Sequence, residues 1–232
     1  MLTTIKLKAK DRSCKAFFGF YFGLSFWGLC NSPIENVQIL SPFREKGEAA
    51  SEQLNRAIRE RVNPFRSVEE EVKIGSRTFR VHDRVMQTKN TEKVSNGDLG
   101  FITGITTGGK GERLVQMDFG GDRKLTYTPE QLAHVDLAYA TTIHKAMGSE
   151  FETVIIPIVK AHTIMLYRNL LYTAVTRAKK KVILVGHKPI LFMAVHRADI
   201  SKRNTMLGER IRLYCKAYHT ERNALPELQQ AG

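Results

Sequence analysis

The chain has 232 residues, 42% of them hydrophobic and 25% charged. That composition excludes a mainly disordered or fibrous polypeptide and suffices for one domain with an insert or for two small ones. Lys and Arg number 36 against 23 Asp and Glu, a formal charge of +13, which points to a polyanionic partner, nucleic acid or anionic membrane, because fixed cations concentrate phosphate and gain from counterion release.

In chain order, residues 1–15 are basic (Lys6, Lys8, Lys10, Arg12, Lys15), and residues 16–30 then run without a charge. The apolar run is too short to span a bilayer, which takes about 20 residues. Its outline fits a secretory signal, an aromatic packing segment or a misread gene start, so residues 1–31 are set apart as an atypical segment. Cys14, Cys30 and Cys215 lie far apart with no C-x-x-C pair, which argues against a disulfide framework or zinc site and for a reducing cytoplasm.

Residues 37–40 predict a buried strand, and Ala50, Leu54, Ala57 and Ile58 recur at helical spacing until Asn63-Pro64 stops the helix. From 71 to 132 the pattern becomes alternating: Val115, Met117 and Phe119 in one run, Leu125 and Tyr127 in another. Asn96-Gly97-Asp98, Gly108-Gly109 and Gly120-Gly121-Asp122 supply the positive-φ turn positions. This predicts a small antiparallel barrel inserted into another domain. Residues 137–140, 153–158 and 182–186 predict further strands, with a helix around 166–176. Apolar strands alternating with helices indicate an α/β fold with a mostly parallel sheet covered on both faces. Its two parts are 32–70 and 133–218, and 219–232 forms a tail.

Three segments carry chemistry. Residues 140–151 (ATTIHKAMGSEF) follow a strand end with two hydroxyls, a His, a Lys and the free N–H groups of an expected helix start. That is a phosphate grip, or equally a Thr-capped helix with a solvated Lys. In residues 169–181 (NLLYTAVTRAKKK) a helix ends in Arg177 and three lysines. Such cations favour a helix C-terminus, and a planar guanidinium at a domain edge also stabilises a transferring γ-phosphate. Arg44, in SPFREKG, lies just past a strand end, ordinarily a solvated position. Residues 177–216 hold eleven basic residues and two acidic ones, a solvated face or a phosphate-tracking surface.

The segments VQILSPFREKGEAASEQLN, RVMQTKNTEKVSNGDLGFI, LAYATTIHKAMGSEF and RNLLYTAVTRAKKKVILVG, in this order, resemble the C-terminal half of RecD/TraA-type superfamily 1 DNA helicases, their UvrD-like C-terminal domain, over residues 33–214. The resemblance implies a second RecA-like motor domain with an SH3-like barrel insert, working with a first RecA-like domain to move 5′ to 3′ along single-stranded DNA using ATP. It implies that Arg177 is the arginine finger and that Arg44, in the motif IV segment, senses the same γ-phosphate. Gly148 and Glu150 would approach the nucleotide's ribose, and Thr142, His144 and Lys145 would hold the DNA backbone. No metal ligand is expected in this chain, because ATP and Mg²⁺ would be shared with an N-terminal RecA-like half in cis or in trans. The setting implied is cytoplasmic, away from membranes.

Two departures stand out. The family pattern HKSQGSE reads here His144-Lys145-Ala146-Met147-Gly148-Ser149-Glu150, so a thioether, a weak acceptor, replaces an amide. There is also no G-x-x-x-x-G-K-[ST] loop, and Gly108-Gly109-Lys110-Gly111 lacks its spacing. The chain by itself is therefore expected to be inactive. The reading set against this one is a non-enzymatic basic nucleic-acid-binding module or a gene remnant.

Overall fold

The computed structural model describes residues 3–8, 34–47, 49–109, 111–197 and 206–228. It resolves two compact units, Met1–Ala198 and Asp199–Gly232. In chain order the first unit holds β1 (Thr3–Lys8), β2 (Val37–Ser41), α1 (Ser51–Val62), β3 (Glu71–Ile74), β4 (Arg77–Arg80), β5 (Arg84–Gln87), β6 (Leu99–Thr107), β7 (Arg113–Asp118), β8 (Lys124–Tyr127), β9 (Val135–Leu137), β10 (Ala140–Thr142), β11 (Phe151–Ile158), α2 (Arg168–Val175), β12 (Ala178–Gly186) and α3 (Lys188–His196). The second holds α4 (Leu207–Leu228), which exposes Ile211, Leu213, Tyr214 and the free thiol of Cys215. No described helix is long and apolar enough to cross a membrane.

Five strands form a wholly parallel sheet in the order β1-β12-β11-β2-β10. Successive side chains of a strand point to opposite faces, and here both faces are covered. Val154, Ile156 and Ile158 of β11 pack with Leu40 and Val182 against Leu170, Leu171 and Ala174 of α2 and Ala194 of α3. Ile155 joins Val37, Ile39 and Ile183 against Leu54 and Ile58 of α1. Burial on both sides explains why β11 reads as a continuous apolar run. Ala57, expected in the buried stripe of α1, is exposed, so that stripe is only two residues wide per turn. β1 shows that part of the atypical N-terminal segment extends the sheet beside β12; residues 16–30, with Cys14 and Cys30, lie outside the described residues.

The strands between α1 and β10 are antiparallel. The hairpin β3–β4 contributes Val72 and Phe79 to a core shared with the sheet β8-β7-β6-β5-β9, where Val115, Met117 and Phe119 face inward alternately. The turns take positive φ at Gly97, Gly120 and Gly121 as expected; in the remaining turn it falls on Gly111 (φ 78°) and not on Gly108 or Gly109.

The strand expected over 137–140 is divided. Leu137 pairs with Val85 of the antiparallel sheet and Ala140 with Ile39 of the parallel one, so the backbone changes sheets at Ala138-Tyr139. The backbone meets both sheets at this change, the Ala138 N–H donating to the Arg84 carbonyl (2.9 Å) and the Tyr139 carbonyl accepting the Ile39 N–H (3.5 Å), and side chains fasten the junction further. Asn55 of α1 donates to the carbonyls of Leu137 and Ala140 (2.9 Å each) and accepts the Ala140 N–H (2.7 Å). Fully buried Asp83 accepts the Tyr139 hydroxyl (3.0 Å), the Asn63 amide (2.9 Å) and the Arg80 N–H (2.8 Å). Burial pushes the Asp83 carboxyl above its ordinary range. Arg84, equally hidden, donates to the Val37 carbonyl of β2 (2.6 Å), and burial lowers its guanidinium to about 10. His82, in the left-handed region at φ 70°, makes the sharp turn that brings Asp83 and Arg84 to this seam.

Candidate functional site

The sequence-predicted residues fall into two groups. One lies at the N-terminal ends of β11 and β12. Arg177 immediately precedes β12, and its carbonyl accepts the Phe151 N–H (2.8 Å). Its guanidinium donates to the Ser149 carbonyl (3.3 Å) and the Thr176 hydroxyl (3.4 Å), while Nε is buried without a partner. The nearby acids are already engaged: Glu150 pairs with Lys179 (3.3 Å) and Glu152 with Lys180 (2.6 Å). Among the described residues no carboxylate forms an ion pair with Arg177. A half-buried guanidinium with spare donors and no counter-charge can accept an anion as partner. Gly148 turns the chain into this corner at φ 87°, a conformation that favours glycine, and the Met147 side chain beside it is 55% exposed.

The second group gathers around Asp136 of β9, a residue the sequence did not single out. Its carboxylate meets Lys145 Nζ (3.0 Å), Arg77 Nη1 (3.3 Å) and Arg44 Nη2 (3.6 Å). Arg44 also binds Glu52 (2.8 Å), and that hydrogen bond, together with the charges of Asp136 and Glu52, raises its pKa above the ordinary value despite some desolvation. Thr142 at the end of β10 accepts the Lys145 N–H (3.3 Å), and His144 is exposed. Arg44 hangs from the C-terminal end of β2 and Arg177 precedes the N-terminal end of β12. In a parallel sheet those are opposite ends, so this chain does not bring the two arginines together.

The helix expected to start after β10 is absent. Residues 143–148 form consecutive turns, with the N–H groups of Ala146, Met147 and Ser149 bonded to the carbonyls of Thr142, His144 and Ala146. Those amides are therefore not free for phosphate. The connection has only eight residues to pass over β2, burying Ile143 and Ala146 against the Leu40 side of the sheet. A parallel crossover containing a helix takes a dozen or more.

Under the Arg44 loop lies His162, fully buried, with its ring 5.7 Å from that of Phe43, Nδ1 against the Pro157 carbonyl (3.4 Å) and Nε2 without a partner. Burial lowers its pKa from 6.5. As pH falls below that value the unfolded chain takes a proton that the folded one refuses, so stability falls with pH until the folded-state pKa is passed. Urea unfolding at stepped pH is expected to show this loss, reduced in His162→Leu; an unchanged slope in the variant would assign the titration elsewhere.

A doubly covered parallel sheet interrupted by an antiparallel insert defines an α/β domain of the RecA-like kind. The comparisons agree: residues 137–185 match the UvrD-like helicase C-terminal domain, and residues 54–119 match the ATP-dependent RecD-like DNA helicase SH3 domain. The chain is thus a relative of the RecD-type superfamily 1 helicases, corresponding to a piece of their C-terminal part. The ATP-dependent RecD2 DNA helicase of Deinococcus radiodurans is 38% identical over 180 residues, covering 77% of this chain and 24% of that protein. The RecBCD enzyme subunit RecD of Mycobacterium tuberculosis is 36% identical over 108 residues, 47% of this chain and 18% of that one. The chain thus spans about a quarter or less of these curated relatives. Among solved structures, the Pif1 helicase from Bacteroides in complex with ADP-AlF3 and single-stranded DNA covers 80% of this chain and 47% of its own, at 19% identity and a TM-score of 0.47.

Proposed function

We propose that the chain serves as the C-terminal motor half of an ATP-dependent 5′ to 3′ DNA helicase, completing a nucleotide site whose Walker loop belongs to an N-terminal RecA-like half in cis or in trans. The observation that carries this reading is Arg177: a guanidinium at the rim of the sheet with a buried, unpartnered Nε and no carboxylate. Such a group suits the terminal phosphoryl charge of a bound ATP. Gly148 and Glu150, joined to Arg177 through Ser149, would face the same nucleotide. Thr142, His144 and Lys145 would hold the backbone of single-stranded DNA at the other end of the loop. Among the described residues no group of three or more His, Cys, Asp and Glu side chains could hold a metal ion, and the Mg²⁺ that accompanies ATP would be shared with the N-terminal half.

The test is a mixture of this chain with a Walker-bearing N-terminal half of a RecD-type helicase. DNA-stimulated ATP hydrolysis is expected in the mixture and none by the chain alone, with unwinding only of duplexes carrying a 5′ single-stranded tail. Turnover by the purified chain that Arg177→Ala removes would overturn the proposal. Salt-sensitive DNA binding with no turnover in the mixture would instead support a non-enzymatic binding module.

A further inference from the structure

Asp136 sits in a cleft of about 560 Å³ between α1, β10 and the β3–β4 hairpin. The three cations on it come from three separate places: Arg44 from the loop after β2, Lys145 from the loop after β10, and Arg77 from the first position of β4. The carboxylate is recessed, its side chain 21% exposed, whereas Arg44 and Arg77 are 43% and 42% exposed. The cations therefore reach the open side of the cleft while the anion lies beneath them. Five cations and three carboxylates line the cleft, and of the acids only Asp136 touches all three converging groups. Donors from separate elements converging on one small oxyanion reproduce the arrangement that binds phosphate.

We propose that Asp136 is an internal stand-in for phosphate. In the free protein it helps to hold Arg44, Arg77 and Lys145 in position, together with Glu52 on Arg44 (2.8 Å) and the Ala133 and Val135 carbonyls on Arg77 (3.2 Å each). When single-stranded nucleic acid enters the cleft, one backbone phosphodiester takes over these donors, so that Arg77 of the antiparallel insert and Lys145 of the parallel-sheet domain grip the same strand. The inference rests on the reading of Lys145 as a DNA contact and adds two residues to it: Arg77 as a direct contact and Asp136 as a competitor. No covalent step is involved. Each cation exchanges one anionic partner for another, and the entering strand releases its counterions.

The experiment measures binding of a fluorescent dT oligonucleotide to the full chain over a range of salt, for wild type, Asp136→Asn, Arg77→Gln and Lys145→Gln, each checked by thermal melting. Asp136→Asn is expected to tighten binding roughly fivefold at low salt, the order of removing one like charge about 4 Å from a phosphate in a high-dielectric setting. Arg77→Gln is expected to weaken binding and to reduce the salt slope by about 0.7, one phosphate contact on a single strand. Unchanged or weaker binding by a folded Asp136→Asn overturns the proposal. Should that variant unfold, Arg77→Gln decides, because it leaves Asp136 with two of its three partners; an unaltered affinity and slope overturn the proposal. Loss of binding in Lys145→Gln, with the other two variants neutral, removes the stand-in and leaves the DNA contact intact. A neutral Lys145→Gln removes both. In a parallel arm with a nucleoside triphosphate, tightening by Asp136→Asn for the triphosphate alone would overturn the assignment to a nucleic-acid backbone.

Discussion

Arg177→Ala is expected to lower the DNA-stimulated ATPase of the reconstituted motor by about 10³-fold or more, the range over which arginine fingers act. The loss should appear in kcat, because the guanidinium meets charge that grows as the γ-phosphoryl group transfers. The Arg177 side chain makes only two long hydrogen bonds, to Ser149 and Thr176, so its removal should leave thermal stability almost unchanged. Arg177→Lys should recover little, since a compact ammonium cannot offer two parallel donors from the same anchor. A loss of tenfold or less in kcat, with an intact assembly, would show that the half-buried guanidinium holds the loop and does not act on the nucleotide.

The second large effect concerns the seam between the two sheets. Asp83→Ala leaves the Tyr139 hydroxyl, the Arg80 N–H and one N–H of the Asn63 amide, whose nitrogen still reaches the Val81 carbonyl (2.8 Å), facing a space with no acceptor. Stranding several buried donors at once is expected to cost about 3–5 kcal/mol, read as a lower urea midpoint. Asp83→Asn should cost less, because its amide oxygen still serves Tyr139 and Asn63 while its NH₂ opposes only the Arg80 N–H. Similar stability for the alanine variant and wild type would mean that the two sheets are held by apolar packing alone.

Much of the parallel sheet was legible in the sequence because β2, β11 and the second half of β12 are apolar on both faces, a pattern few other environments produce. The antiparallel insert was legible from the alternation around Val115 and Met117. The split between β9 and β10 was not: LAYA has one continuous apolar character, and only the partners of Leu137 and Ala140 distinguish the sheets. The helix expected after β10 failed for lack of chain, which no propensity records. Asp136 and Arg77 escaped notice because a surface carboxylate and a hairpin arginine 59 residues apart look solvated until folding sets them 3.3 Å from each other. The resemblance implied one phosphate for Arg44 and Arg177; within this chain the one follows the C-terminal end of β2 and the other precedes the N-terminal end of β12, a placement that only the strand pairing reveals.

The turn-rich stretch from 143 to 150 has a mechanical consequence. Lys145 is tied to Asp136 near one terminus of this strap, and the Ser149 carbonyl holds the Arg177 guanidinium near the other. Ile143 and Ala146 pin its middle to the sheet. With so little slack, a displacement of the lysine is expected to reach Ser149, four residues beyond, and through its carbonyl to alter the aim of the Arg177 guanidinium.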